Sequence, residues 1–366
     1  MISGFATPSG TKKFSEKFGK IQANYKIFDN LVLSNVGIGT YLGNPDSQTD
    51  SLVSEATKKS ILSGINVIDT AINYRAQKSE RSVGKAVSEL ISECKIEREG
   101  VFVSTKNGYV TNDADTKEDF WSYVQREYVA PGIIGPSDIS SGYHCMTTKY
   151  LEDQLNRSLR NLGFDCIDLL YLHNATEGQL QDIGKEQFLK KLATVFELYE
   201  QKRKEGKICY YGMATWDCFR VPADNPQHLS LPNVLDMAKN IGGENHGFRF
   251  IQLPYNMYYD QAFMIKNQSL DSKMVSVLEA AKTLGIGVFT SVPLMQGRLL
   301  APGVLPDFGG LLPSQRSLQF IRSTPGVLAP LVGHKAISHV DENLEITKIP
   351  PMETAEFEGL VKKLTS

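Results

Sequence analysis

Val101-Phe102-Val103-Ser104-Thr105-Lys106 is the stretch on which the fold turns. Its first three residues are β-branched or aromatic, the composition of a short buried strand. It ends on a charged lysine. Before it, Ser79–Cys94 carries apolar residues at spacings of three and four, as an amphipathic helix does, and Lys149–Leu162 does the same after it. A strand set between two helices pairs parallel with its neighbours, because the chain must cross back over the sheet before starting the next strand.

The same unit repeats outward in both directions. Strands read at Val36–Thr40, Val67–Asp69, Asp168–Leu172, Cys209–Met213, Phe250–Leu253, Gly287–Ser291 and Val327–Val332. Helices read at Ser51–Ser63, Gln187–Glu205, Leu231–Asn240, Ser272–Leu284, Ser314–Ser323 and Ser338–Ile346. Gly64, Gly163, Gly206 and Gly285 follow last apolar turns, where a helix cap favours positive φ. Eight such units suit a closed barrel better than an open sheet, so the chain reads as an α/β protein, a (β/α)8 TIM barrel. A dinucleotide-binding open sheet needs Gly-x-Gly-x-x-Gly after its first strand. Gly37-Ile38-Gly39 continues instead into Thr40-Tyr41-Leu42-Gly43, which has the wrong spacing.

Two segments stand outside the repeat. Tyr25–Phe28 and Leu31–Leu33 flank Asp29-Asn30 and read as an N-terminal β-hairpin placed to plug the barrel bottom. Residues 1–24 then form an N-terminal extension and residues 25–366 a single domain. The loop after the third strand, between Lys106 and Lys149, is too long for a plain connection and holds Trp121, Tyr123, Tyr128, Pro131 and Pro136. Its aromatics argue for packing, either at the mouth of a site or over the outer helices.

Composition narrows the function. The 366 residues carry a formal net charge of −2, are 41% hydrophobic and 22% charged, and so have no global positive field for nucleic acid or anionic membrane. Cys94, Cys145, Cys166, Cys209 and Cys218 form no Cys-x-x-Cys pair, so neither a disulfide framework nor a metal site is expected. No apolar run approaches the roughly 20 residues of a membrane span, and Met1–Lys20 lacks a signal-peptide core. A cytoplasmic protein is the expectation, with oligomeric state left open.

In βα barrels the site lies at the C-terminal ends of the strands. Asp69 ends the second strand, Lys106 the third and His173 the fourth, and Tyr74 follows Asp69 in its loop. Singly, each has a plain reading as a cap, a surface ammonium, a packing ring or a satisfied polar group. Together they supply what proton delivery from a phenol needs. A free tyrosine has a pKa near 10, and a neighbouring ammonium should lower it. Asp69 would hold Lys106, and His173 would orient a substrate oxygen. The hydride of a carbonyl reduction must come from a cofactor, ordinarily a nicotinamide.

These residues and their surroundings resemble the aldo-keto reductase family. The resemblance rests on Gly37-Ile38-Gly39-Thr40-Tyr41, Ile68-Asp69-Thr70-Ala71-Ile72-Asn73-Tyr74 with Ser79-Glu80, Ser104-Thr105-Lys106 and Leu170-Tyr171-Leu172-His173. It extends through Ile251-Gln252-Leu253-Pro254-Tyr255-Asn256, Pro293-Leu294-Met295-Gln296-Gly297 and Asp341-Glu342-Asn343-Leu344. It implies a catalytic tetrad of Asp69, Tyr74, Lys106 and His173, with Tyr74 as acid and base. It also implies NADP (NADPH) as cofactor and a small aldehyde, ketone or alcohol as substrate. Gly39, Thr40 and Tyr41 match the turn beside the cofactor, and Gln252 the glutamine on its carboxamide. Leu294, Gln296, Gly297 and Arg298 match the pyrophosphate loop. Gly333, His334, Lys335, His339, Glu342 and Asn343 match the adenosine end, with Lys335 and His339 toward a 2′-phosphate.

The chain departs from the family on the hydride side. Where the family has Gly-x-Ser-Asn it has Gly212-Met213-Ala214-Thr215, leaving Thr215 to meet the carboxamide, and Ser291 stands where a Tyr or Trp stacks on the nicotinamide. Two readings follow: an NADP-dependent carbonyl reductase, or a non-catalytic or regulatory binding protein on the same barrel.

Overall fold

The computed structural model describes residues 1–365 except Lys20 and Pro136; the loop proline at 136 and the last residue of the domain expected over 25–366 thus lie outside the described residues. Helix α1 (Pro8–Phe18) and the hairpin β1 (Tyr25–Phe28) and β2 (Leu31–Ser34) come first. The repeat opens with β3 (Gly37–Gly39), α2 (Ser47–Leu62), β4 (Val67–Asp69), α3 (Lys78–Ser92) and β5 (Phe102–Asn107). The long loop holds α4 (Phe120–Val124), and α5 (Thr148–Leu162), β6 (Ile167–His173), α6 (Ala175–Lys204), β7 (Ile208–Ala214), α7 (Leu231–Gly242) and β8 (Phe248–Pro254) follow. Next come α8 (Gln261–Met264), a side hairpin β9 (Lys266–Leu270) and β10 (Lys273–Ser276), and α9 (Val277–Leu284). The chain ends with β11 (Gly287–Ser291), α10 (Pro313–Ser323), β12 (Val327–Gly333), α11 (Ile337–Leu344) and α12 (Thr354–Thr365).

Strands β3, β4, β5, β6, β7, β8, β11 and β12 form a closed barrel in that order, every pair parallel, with β12 returning to β3. Each strand read from the sequence is present, its ends displaced by at most two residues. Two helix readings need correction. Ser272–Leu284 is not one helix: Asp271 and Ser272 have φ of 48° and 64°, the left-handed pair of a tight hairpin turn, and the helix begins at Val277 behind a Ser276–Glu279 capping box. The helix expected from Gln187 starts at Ala175, because Gly184 (φ 74°) joins two helical stretches end to end. Helices α1 and α12 were not expected at all. The start signal of α1, Pro8 behind a Thr7 hydroxyl that accepts from Gly10 N, is visible in the sequence in retrospect.

The barrel bottom is plugged as the hairpin suggested. Leu31, Leu33 and Ala6 are buried against Phe102, Leu169, Tyr171, Phe250 and Phe289. Asp29 and Asn30, φ 49° and 65°, make the turn. The N-terminal segment is tied down by Asp168. Its Oδ1 accepts from Ala6 N at 2.6 Å, and its Oδ2 accepts from Arg98 Nη2 at 2.7 Å and Val103 N at 2.8 Å. The long loop builds a small core against Tyr150 of α5, from Val110, Tyr123, Val124, Tyr128, Ile134 and Cys145, which explains its aromatic content.

Candidate active site

Strand periodicity aims the site. Val67, Phe102, Leu169 and Tyr171 belong to the cluster inside the barrel, while Ile68, Val103, Leu170 and Leu172 pack outward beneath the helices. One step of two toward the rim puts Asp69, Ser104, Lys106 and His173 on the inner face. The structure brings the four expected residues together. Lys106 Nζ donates to Asp69 Oδ2 at 2.6 Å and to the Thr70 carbonyl at 2.8 Å, and lies 4.7 Å from the centre of the Tyr74 ring. The His173 ring meets Tyr74 edge-on at 5.8 Å. Asp69 Oδ1 accepts from Ser104 Oγ at 2.8 Å and Gln252 Nε2 at 3.0 Å.

Tyr74 comes from a turn, and the turn is strained. Arg75, Ala76 and Gln77 have φ of 51°, 49° and 74°, three consecutive left-handed residues without a glycine. Each costs roughly 1–2 kcal/mol, so the conformation persists only if its surroundings enforce it. They do. Gln77 Nε2 donates to the Asn112 carbonyl at 3.1 Å and its Oε1 accepts from Asn161 Nδ2 at 3.1 Å. Arg75 Nε donates to the Asn44 carbonyl at 3.1 Å and its guanidinium pairs with Asp50. Buried Glu80 accepts from Thr105 Oγ1 at 2.6 Å and Asn161 Nδ2 at 2.8 Å.

Burial sets the protonation states. It pushes the Tyr74 phenol well above its ordinary value, and the Asp69 charge pushes the same way. The net direction is therefore opposite to the fall expected from a neighbouring ammonium: burial and the Asp69 charge prevail, with Lys106 facing the ring and its charge paired with Asp69 at contact distance. Burial also pulls Lys106 down, with Asp69 opposing, and pulls His173 well below the ordinary imidazole range, with Lys106 adding to it. His173 Nδ1 is buried without a hydrogen-bond partner among the described residues.

Several site residues were missed. Tyr109 packs edge-on against His173 at 5.1 Å, and its hydroxyl accepts from Asn174 Nδ2 at 3.2 Å. It lines a cavity of about 600 Å³ with Tyr41, Leu42, Arg75, Phe120 and Gln296, so the long loop does reach the mouth. Behind the site, His144 Nε2 donates to the His173 carbonyl at 2.8 Å. Nothing local in the sequence marks Tyr109 or His144; Ser104 was within reach by counting two residues back from Lys106.

The positions expected to face a cofactor divide. Gln252 gives its amide N–H to Asp69, which leaves its Oε1 for a carboxamide. The Thr215 hydroxyl donates to Glu177 Oε1 at 2.7 Å and accepts from Cys218 N at 3.1 Å, so it has a lone pair to offer and no proton. Glu177 also accepts from the Trp216 and Asp217 amides. Ser291 is half-buried at the end of β11, and Leu294 is half-buried in the loop that follows. In that loop Val292, Met295, Gln296 and Gly297 all have positive φ; the Met295 and Gly297 amides donate to the Val292 and Leu294 carbonyls, and the Arg298 beside them is exposed. Thr40 is buried, its Oγ1 donating to the Asp69 carbonyl at 3.1 Å; Gly39 is half-buried, and Tyr41 is exposed with its ring edge-on to Tyr74 at 5.1 Å. Gly333, Lys335 and His339 are exposed, Glu342 accepts from Ser314 Oγ at 2.5 Å, and Asn343 is buried. His334 turns away from this surface. It is buried with Nδ1 2.9 Å from Ser60 Oγ of α2, and burial lowers it to about 4. The exposed Arg298, Lys335 and His339 and the left-handed loop fit a dinucleotide phosphate chain; Ala214 and Ser291 give the nicotinamide end fewer contacts.

A closed eight-fold parallel barrel with a buried Lys–Asp pair, a phenol and an imidazole at its C-terminal rim defines a class. Residues 35–303 match the family model of the aldo/keto reductases, and the chain belongs to that family. An uncharacterized oxidoreductase of Bacillus subtilis is 22% identical over 336 residues, 90% of this chain and 92% of its own. Among solved structures, an aldo-keto reductase from Bacillus halodurans in its holo form superposes with a TM-score of 0.60 at 22% identity, covering 93% of this chain and 96% of that one. An aldo/keto reductase from Klebsiella pneumoniae in complex with NADP and acetate gives 0.58 at 19% identity, covering 93% and 95%. The chain is thus an oxidoreductase of this family. Among the described residues no helix is long and apolar enough to cross a membrane.

Proposed function

We propose that the protein reversibly reduces an aldehyde or ketone to an alcohol with NADPH, Tyr74 delivering the proton. The observation that carries this is the contact of buried Lys106 with Asp69 beneath the Tyr74 ring. A buried ion pair is costly to keep and contributes little to stability compared with apolar packing, which favours a chemical role.

Arg298, Lys335, His339 and the loop at 292–297 would hold the phosphates, with Gly39, Thr40 and Tyr41 beside the cofactor and Gln252 Oε1 on the carboxamide. Gly333, Glu342 and Asn343 would border the adenosine end. When bound, the reduced nicotinamide supplies the hydride. The protein's own residues do the rest. The raised phenol of Tyr74 is protonated at neutral pH, as a general acid must be. Neutral His173 donates to the substrate oxygen from one ring nitrogen and so orients it toward Tyr74. Lys106 stabilises the tyrosinate left behind, its charge fixed by Asp69. Tyr41, Tyr109 and Phe120 shape the mouth and exclude water.

The relatives support the cofactor choice: the Klebsiella protein is named with NADP. Tyr74→Phe keeps the ring and removes the acid. It should abolish NADPH-dependent turnover across a panel of aldehydes and ketones while NADPH still quenches protein fluorescence with unchanged affinity. Turnover near that of the parent would remove Tyr74 from the role.

A further inference from the structure

At the end of the barrel remote from the tetrad, β1 and the N-terminal ends of β11 and β12 bound a second cavity, of about 490 Å³. Lys26, Lys282 and Arg322 line it, and no aspartate or glutamate does. Arg322 is fully buried. Its Nε donates to Gln319 Oε1 at 2.6 Å, Nη1 to Asn24 Oδ1 at 2.9 Å and Nη2 to the Ile349 carbonyl at 2.8 Å, all neutral acceptors. Lys26 Nζ donates to the carbonyls of Arg322 at 2.7 Å and Val327 at 2.5 Å. Burial lowers Arg322 to about 9, and burial together with Arg322 lowers Lys26 to about 7; no carboxylate acts on either.

This is out of keeping with the rest of the molecule. Among the described residues, the other buried cations have carboxylate partners: Arg75 and Lys78 have Asp50, Arg98 has Asp168, Lys106 has Asp69, Lys202 has Glu152 and Arg220 has Asp217. Arg322 alone lacks one, and Lys26 lies against it. Carbonyl capping accounts for part of the donor capacity. A guanidinium has five N–H donors and an ammonium three, so two on Arg322 and one on Lys26 stay uncommitted. A buried cation without an anion is costly, and a cavity beside it is where the anion fits. The remaining walls include Phe28, Val327 and Met352.

We propose that this cavity binds a small organic anion, its phosphate or carboxylate head held by Lys26 and Lys282 in the field of Arg322 and its short apolar body against Phe28, Val327 and Met352. The site is separate from the rim and does not depend on the carbonyl chemistry proposed there.

The test is calorimetric titration of the full-length protein with inorganic phosphate and with butyl phosphate at constant ionic strength. Saturable binding of both is expected, butyl phosphate roughly tenfold tighter or more because its methylenes leave water. Lys282→Glu, on the exposed face of α9, and Lys26→Met should each weaken it at least roughly tenfold, as loss of a charge-assisted contact does. Arg298→Met and Lys335→Met remove phosphate binding at the rim and should leave the part of the titration that depends on Lys26 and Lys282 unchanged. The proposal is overturned if Lys282→Glu, at an exposed position, binds as the parent does. It is equally overturned if the rim variants abolish binding, or if butyl phosphate binds no better than phosphate.

Discussion

Lys106 Nζ lies 2.6 Å from Asp69 Oδ2, with 0% of one residue and 4% of the other open to solvent. Each charge is tolerable at that depth because the other is present. Removing the lysine leaves a carboxylate whose remaining partners, Ser104 and Gln252, are neutral.

Lys106→Met should therefore lose twice. Unfolding free energy should fall by about 3–5 kcal/mol, the usual result of breaking a buried pair from one side. Turnover should fall by at least about a hundredfold, because the tyrosinate loses its cation. Urea unfolding and NADPH-dependent carbonyl reduction measure the two effects; a variant with parental values for both would show the pair to be incidental.

The pH profile of reduction follows from the direction of two shifts. Burial keeps the Tyr74 phenol protonated and the His173 ring neutral. Neither group then titrates between about pH 6 and 9, and kcat should be flat across that window. A limb with an apparent pKa near 6.5 that disappears in His173→Gln would contradict the neutral imidazole.

Two further buried histidines bear on acid stability. His144 and His334 are each lowered to about 4 by burial. A lowered group binds its proton later in the folded chain than in the unfolded one. Its stabilising contribution is full above about pH 6.5 and is lost as pH falls toward 4, by about 1.4 kcal/mol per pH unit for each histidine. The melting temperature should drop across that window, and His334→Gln should make the drop shallower. An equal slope in the variant would assign the acid transition to other groups.

Ser291→Trp supplies a ring at the rim position where the chain has none. Stacking on a base is worth roughly 1–3 kcal/mol, so NADPH should bind at least about fivefold tighter by fluorescence titration. Unchanged affinity would mean that another ring already covers the nicotinamide or that Ser291 faces elsewhere.

Much of the site was legible because strand ends are local features. Asp69, Lys106 and His173 each close a strand-like segment, and a period of two aims them inward once the barrel is accepted. The glycine-free turn after Tyr74 was not legible as strain, since Arg75-Ala76-Gln77 looks like ordinary loop; the bonds that enforce it come from Asn44, Asp50, Asn112 and Asn161. The same holds for Lys273-Met274-Val275-Ser276, whose apolar spacing suits the start of a helix as well as a strand. The hairpin turn at Asp271 and Ser272 decided it.

The sequence by itself determined the alternation of strand and helix, the closed barrel it implies, the hairpin at its base and the identity of the rim residues. All of these rest on short-range pattern: side-chain period, caps and chain crossovers. The tertiary structure decided what those residues are chemically. It raised the Tyr74 phenol where the neighbouring ammonium had suggested a fall, engaged Thr215 with Glu177 38 residues away, and turned His334 onto Ser60 across 274 residues. Protonation and hydrogen-bond partners depend on burial and on charges brought in from distant parts of the chain, and burial is a property of the folded whole.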